Sequence, residues 1–334
     1  MRISFFGKGG SGKTTMTTEF VKYLQGVRKA SPIVAIDADI NVHLGKALDM
    51  KTRYLGDIIN ELSYYFEGTR NQPLPRTTEA GKKYYKFIRS VEDFVCIGQM
   101  PPSFTSNFIR PYLDDRFFKY FATVEKNTAL ITIGSYTDAG VGVECFHGKL
   151  GALELIYNRL LDDKNMYVVT DSTAGVDSVG TSLFFASDVN IFVVEPTIKG
   201  ISVFQDFERI TKNYKLNNYV LINKITGQDD IDFIERNIPK EKIIGYVSNS
   251  NSLKRFEQGN KDAFNDFIKE NEEINKKMLD ILDNTQKDWD RYYAYLLKCY
   301  VDNCKDWYSQ YYGQDLLQYI DPDFNYEEAI KNNV

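Results

Sequence analysis

Short, uninterrupted apolar runs alternate with stretches of helical period along most of the chain. The runs are Arg2–Phe6, Pro32–Ile36, Ala129–Gly134, Met166–Asp171, Val189–Val194, Tyr219–Lys224 and Ile243–Val247. Apart from Arg2-Ile3-Ser4-Phe5, they do not alternate apolar with polar residues as a strand with one wet face would; they read as buried strands. Between them, Met16–Leu24, Leu55–Phe66, Leu150–Leu161 and Gly200–Tyr214 carry helix-forming residues. Strand and helix in regular turn predict an α/β protein with a doubly wound, mainly parallel sheet flanked by helices. The stretch 52–128 breaks the rhythm. It holds a polar segment, Gly68 to Arg76, with two prolines, then two β-like runs, Tyr84–Ile88 and Phe94–Ile97. Beyond Gly259 the pattern becomes helical throughout, with Phe264, Phe267, Ile268, Ile274, Met278, Ile281 and Leu282 on one period. This predicts a C-terminal helical appendage.

The first run leads into Gly7-Lys8-Gly9-Gly10-Ser11-Gly12-Lys13-Thr14-Thr15. A strand, a glycine-rich loop and a helix in that order match G-x-x-x-x-G-K-[ST] in full, from Gly7 to Thr14. Here Gly9, Gly10, Ser11, Gly12 and Thr15 provide inward-facing backbone N–H groups for phosphate oxygens. The helix beginning near Lys13 adds its unpaired N–H groups and positive dipole end. Lys13 reaches the β- and γ-phosphates, and the Thr14 hydroxyl is placed to ligate Mg²⁺. The sheet is therefore expected to be that of a P-loop NTPase, with ATP and Mg²⁺ as its ligands.

Three further apolar runs end in polar residues that a parallel sheet would carry to the same edge. The second ends in Asp37-Ala38-Asp39, and Met166–Thr170 ends in Asp171, a Walker B-like arrangement. The sixth ends in Asn223-Lys224. Asn223 has a donor and an acceptor that suit adenine N7 and the 6-amino group. Thr226 stands where a guanine-reading aspartate would, which argues for ATP. The loop Ser248–Lys254 is expected to wall in the base.

With Lys8 at its start, the loop resembles the deviant Walker A (SIMIBI, MinD/ParA-type) P-loop ATPases, closest to the CooC-like nickel-insertion and MinD branch. Asp37-Ala38-Asp39-Ile40-Asn41-Val42-His43-Leu44 is similar to that branch's Asp-Ala-Asp-Pro-Asn-x-x-Leu, and Asp171-Ser172-Thr173-Ala174-Gly175 to its Asp-x-x-Ala-Gly. The resemblance covers roughly residues 1–258. It implies that Lys8 acts across a homodimer on the other subunit's nucleotide. It also implies that Asp39, with Asp37 nearby, is the switch I carboxylate beside the attacking water. Asp171 would hold Mg²⁺ through a water, and Gly175 would let the second switch reorganise. One departure stands out: where the nickel-insertion type carries Cys-x-Cys, this chain has Val143-Glu144-Cys145 followed by His147. Cys145 and His147 form a weak alternative metal site, two ligands per subunit and four across a two-fold axis.

Composition narrows the setting. The chain has 334 residues, 43% hydrophobic and 26% charged, and four cysteines, too few and too scattered for a disulfide framework. It has no apolar run of about 18 residues, and no signal sequence precedes the loop, so a cytoplasmic protein without a membrane anchor is expected. From Asn260 onward there are 9 Lys+Arg against 16 Asp+Glu; the rest of the chain has 32 against 30. That balance offers no basic stripe and argues against nucleic acid as a partner. Both tryptophans fall in the acidic part. The expected organisation is an ATPase domain over 1–259, variable about 52–128, and an aromatic-rich acidic appendage over 260–334. The expected function is an ATP-hydrolysing switch whose dimerisation follows the nucleotide and which acts on an unidentified protein client. A metallochaperone for metallocentre assembly and a ParA/MinD-like positioning ATPase are the alternatives.

Overall fold

The computed structural model of the chain describes residues 1–67, 73–77, 83–87, 98–134, 146–175, 177–311, 313 and 315–334. In chain order the elements begin β1 (Arg2–Phe6), α1 (Lys13–Val27), β2 (Ile33–Asp37), α2 (Leu44–Leu48), α3 (Ile59–Glu67), β3 (Pro73–Thr77) and β4 (Lys83–Phe87). Then come α4 (Arg116–Phe121), β5 (Thr123–Glu125), β6 (Thr128–Thr132), α5 (Phe146–Arg159), β7 (Tyr167–Asp171), β8 (Val189–Val194), α6 (Ile198–Ile210), β9 (Asn218–Ile225), α7 (Gln228–Asn237) and β10 (Ile243–Ser248). The chain ends with α8 (Asn251–Glu257), α9 (Ala263–Glu270), α10 (Glu272–Asn284), α11 (Trp289–Asn303), a π-helical turn (Cys304–Tyr308), α12 (Ser309–Tyr311) and α13 (Tyr326–Asn333).

Eight strands form one sheet in the order β10-β9-β8-β1-β7-β2-β6-β5. All neighbours run parallel except β5, which pairs antiparallel with β6. The apolar runs are continuous because both faces are covered. On β2, Ile33 and Ala35 pack into one core with α1, α9 and α10, while Val34 and Ile36 pack into the other with α3 and α5. That is the two-residue period of a strand, with an apolar residue needed on each side.

The C-terminal helices divide between these cores. Phe264, Phe267, Met278 and Leu282 of α9 and α10 share the core of α1, whereas Tyr292, Leu296, Tyr326 and Ala329 of α11 and α13 share the core of α5 and α6. Lys277 of α10 donates to the carbonyls of Ile243 and Ile244 at 3.1 and 2.8 Å, so α10 blunts the edge of the sheet at β10. On the opposite face, fully buried Arg2 donates to Asp162 Oδ1 at 2.7 Å, and Lys287 bonds Asp162 Oδ2 and Asp188 Oδ2 at 2.7 and 2.9 Å. Burial opposes ionisation of Asp162, but Arg2 and Lys287 hold it well below the usual carboxylate range. The ion cluster ties the start of α11 to the strand that precedes the glycine-rich loop.

In the variable region β3 and β4 pair as a separate antiparallel ribbon. The segment with two prolines is thus half strand rather than a polar break. Pro73 and Pro75 are two residues apart, so both missing N–H groups lie along one side of the strand and the other side remains able to pair. Of the run Tyr84–Ile88, Tyr84–Phe87 falls on β4, while Ile88 and Phe94–Ile97 lie outside the described residues.

Candidate functional site

β1 lies at the centre of the sheet between β7 and β8, and the glycine-rich loop leaves its carboxyl end. Gly7, Gly10 and Gly12 have φ of 149°, 83° and 98°. Two of these positions are closed to side chains for a second reason. A Cβ at Gly7 would stand 2.4 Å from the Val193 carbonyl oxygen, and one at Gly12 would stand 2.3 Å from Asn223 Nδ2. The loop is pressed against β8 and the end of β9, so its N–H groups turn toward the cleft. α1 then starts at Lys13 with no side chain capping its first turn, which leaves those N–H groups for an anion.

Register brings the carboxylates to this edge. Phe5 pairs with Asp171, and Asp171 with Asp37. Thr14 Oγ1 donates to Asp171 Oδ2 at 2.6 Å, while Asp171 Oδ1 is buried without a hydrogen-bond partner. Burial, more than any neighbour, pushes Asp171 up to about 6. Lys13 Nζ lies 3.2 Å from Asp39 Oδ2, and Asp39 Oδ1 accepts from the N–H and the amide of Asn41, each at 3.0 Å. Asp37 is engaged by the backbone: its two oxygens accept from Asp39 N at 3.3 Å and Leu44 N at 2.9 Å. Burial first, and Asp171 second, push it up to about 7. Its place is inside the turn that carries Asp39. In that turn Val42 has φ 49°, an uncommon conformation for a β-branched residue.

The turn that follows β7 docks on the loop. Gly175, at φ 75°, donates its N–H to the Gly7 carbonyl at 2.9 Å, and Ser172 N donates to Phe5 O at 3.1 Å. Lys8 is exposed at the loop tip.

Asn223 meets the loop as well as the cleft. Its Nδ2 donates to the Ser11 carbonyl at 2.8 Å and its Oδ1 accepts from Lys224 N at 2.9 Å, which leaves one donor and one lone pair for a ligand. Lys224, at φ 63°, donates to Gly10 O at 2.7 Å and pairs with Glu195 Oε1 at 2.5 Å. The sequence assigns Glu195 no role, and Lys224 enters there only as the second half of the Asn223-Lys224 pair. The adjoining Asn223 was the one available signal, because β8 and β9 become neighbours only in the folded sheet. A cleft of about 840 Å³ runs from Gly9–Thr15 past Asp39 and Asn223 to Ser248–Lys254.

The weak alternative metal pair, Cys145 and His147, falls largely on residues that are not described. Cys145 lies outside the described residues, and of His147 only its place at the start of α5 is described. Among the described residues no group of three His, Cys, Asp or Glu is placed to hold a metal. Cys299 and Cys304 are free thiols on the C-terminal helices, each pushed up to about 11 by burial. Among the described residues no helix is long and apolar enough to cross a membrane.

A central strand, a glycine-rich loop at its carboxyl end and carboxylates at the same ends of β7 and β2 define a nucleotide-binding α/β protein. The family model described as the CobQ/CobB/MinD/ParA nucleotide binding domain matches residues 5–279, and the chain belongs to that family. It is 27% identical over 256 residues to an uncharacterised ATP-binding protein of Methanocaldococcus jannaschii, spanning 76% of this chain and 90% of that one. A second ATP-binding protein of the same organism is 23% identical over 288 residues, 84% and 96% of the respective chains. The solved ParA family ATPase of Chlorobium tepidum superposes with a TM-score of 0.50 at 13% identity, covering 84% of this chain and 97% of that one.

Proposed function

We propose that the chain is an ATP-binding and ATP-hydrolysing switch whose association into a homodimer follows its nucleotide state. The observation that carries this reading is the convergence of Lys13, Thr14, Asp39 and Asp171 at one cleft. Three buried polar atoms of the same segments, Ser11 Oγ, Asp171 Oδ1 and Thr173 Oγ1, lie behind the cleft lining and have no protein partner. Orphaned buried acceptors and donors are costly unless a ligand meets them.

In this reading the loop N–H groups and Lys13 take the phosphates, and Asn223 with Ser248–Lys254 takes the base. Thr14 and Asp171 are the residues that would hold Mg²⁺, which supplies charge neutralisation on the phosphates when bound. Lys13 is paired with Asp39 at 3.2 Å, so a phosphate at the loop would compete for the lysine and leave Asp39 to orient a water. Lys8, exposed at the loop tip, extends toward a second copy's nucleotide.

The relatives described as ATP-binding support the nucleotide, and the ParA-type fold keeps the positioning-ATPase alternative open. The described residues supply no observation that favours the metallochaperone alternative. Residues 1–259 form the proposed ATPase unit, with 260–334 as a helical extension that faces a protein client in the cytoplasm. Phosphate release from ATP with Mg²⁺, measured for the wild type and Lys13→Ala, tests the reading. A drop of at least about a hundredfold is expected when a phosphate-clamping charge is removed, and undiminished turnover would sink it.

A further inference from the structure

The wall of the cleft farthest from the phosphate loop is the start of α8, and it is held from outside. Ser248, Asn249, Ser250, Asn251, Leu253 and Lys254 line it. Ser250 is the N-cap of α8, its Oγ accepting from Ser252 N at 3.0 Å and from Leu253 N at 3.1 Å. A hydroxyl has a proton of its own to donate, and that of Ser250 goes to Glu270 Oε2 at 2.5 Å. The Ser252 hydroxyl donates to Glu270 Oε1 at 2.6 Å. One carboxylate at the end of α9 thus grips both hydroxyls of the first turn of α8, one oxygen each.

The next residues continue inward. Asn271 begins the junction to α10, and Asn275 Nδ2 donates at 2.7 Å to Glu19 Oε1, buried on α1, the helix whose first turn carries Lys13 and Thr14. The segment from the end of α9 into α10 therefore contacts the α8 turn through Glu270 and, through Asn275 of α10, the helix that begins at the phosphate loop.

We propose that Glu270 is a positioning residue for the nucleoside end of the ligand, fixing the Ser250–Ser252 turn so that the α8 wall is preformed when the nucleotide arrives. This rests on the reading of the cleft as an ATP site with its base against Ser248–Lys254. Glu270 itself does not line the cleft. A preformed wall spares the bound state the cost of ordering it, and that saving acts only on ligands that reach the wall.

The test compares ATP with inorganic tripolyphosphate, which has the phosphates and no base. Binding of each is measured by calorimetry for the wild type, Glu270→Ala, Glu270→Gln, the Ser250→Ala/Ser252→Ala pair, and the pair combined with Glu270→Ala. Glu270→Ala is expected to weaken ATP about fivefold, the loss of hydrogen bonds at a partly exposed carboxylate, and to leave tripolyphosphate unchanged. Glu270→Gln keeps one acceptor and should fall between, which carries the test if the alanine variant does not fold. In the serine-pair background Glu270→Ala should add no further weakening, since its effect passes through those hydroxyls. Equal weakening of both ligands, or unchanged ATP binding, would overturn the positioning role alone. A wild type that binds ATP no more tightly than tripolyphosphate would overturn the base-wall reading, and this inference with it.

Discussion

Thr14 Oγ1 and Asp171 Oδ2 are 2.6 Å apart, joining the first turn of α1 to the end of β7 beside the glycine-rich loop. In the proposed function these are the two groups that would hold Mg²⁺, and the hydrogen bond keeps them at one place. Asp171→Asn leaves the shape and removes the charge. It is expected to lower Mg²⁺-dependent ATP hydrolysis by roughly a hundredfold while ATP binding in the absence of Mg²⁺ changes little. Mant-nucleotide titrations with and without Mg²⁺, beside a phosphate-release assay, separate the two. Equal loss of binding with and without Mg²⁺ would remove Asp171 from the metal role.

Lys8 offers a second separation. It is exposed at the loop tip, and among the described residues its ammonium makes no hydrogen bond or ion pair. A charge that serves the neighbouring subunit matters only when two sites face each other. Lys8→Ala should bind ATP within about twofold of wild type and lose hydrolysis by at least about tenfold, the scale of a single charge removed from developing phosphate charge. Light scattering with ATP and a slowly hydrolysed analogue should show a dimer for the wild type. A monomer in every nucleotide state would overturn the dimer reading.

The sequence carried the sheet because its strands are buried on both faces. Ile33 and Ala35 serve one core and Val34 and Ile36 the other, so β2 shows as an unbroken apolar run, and β7 and β8 do likewise. The position of the loop was equally legible, since Gly7 and Gly12 stand where a Cβ has no room. Less visible were β5, three residues long and half exposed, and β3, whose prolines suit a strand only once a partner lies on one side. The face each C-terminal helix would cover was also hidden. Helical period marks an apolar stripe but not its partner, and α9–α10 and α11–α13 went to opposite sides of the sheet. Glu195 and Lys224 could not be paired in advance, because their 2.5 Å contact depends on β8 and β9 being neighbours.

Glu19 sets a pH dependence of stability. It is 2% exposed, its Oε1 accepts from Asn275 Nδ2, and burial pushes it up to about 8 from an ordinary value of 4.5. The Asn275 Oδ1 nearby has no partner and suits a carboxyl that keeps its proton. The unfolded chain loses this proton near pH 4.5 and the folded chain near 8, so the unfolded state binds fewer protons between those values. The contribution of this site therefore falls as pH rises from about 4.5 to about 8. Glu19→Gln removes the titration and should gain over wild type across that window, by at most about 4 kcal/mol at pH 8. Urea unfolding at pH 5, 6.5 and 8 measures it. A constant difference between wild type and variant at all three would show that Glu19 is not titrating.

The aromatics of the last quarter separate into packing and surface, and the separation decides what they can do. Tyr300, Cys304, Leu316 and Tyr319 are buried with Met100, and Trp289 stacks on Tyr326 with ring centroids 4.4 Å apart. Trp307 and Tyr311 differ: they are 47% and 72% exposed, with centroids 6.3 Å apart, on and just after the π-helical turn Cys304–Tyr308. π-Turns cost helix geometry and are often kept at functional positions. Truncating a buried ring leaves a cavity, so Tyr300→Ala should cost about 3 kcal/mol of stability. Trp307→Ala with Tyr311→Ala should cost less than about 1 kcal/mol, as exposed substitutions do, and should leave ATP turnover within about twofold. If these two rings face the client, the double variant of an ATP-trapped protein loses the partner that the wild type retains by cross-linking, with melting temperature and hydrolysis intact. Partner retention by that folded, active variant would assign Trp307 and Tyr311 to the solvent alone and move the client surface elsewhere.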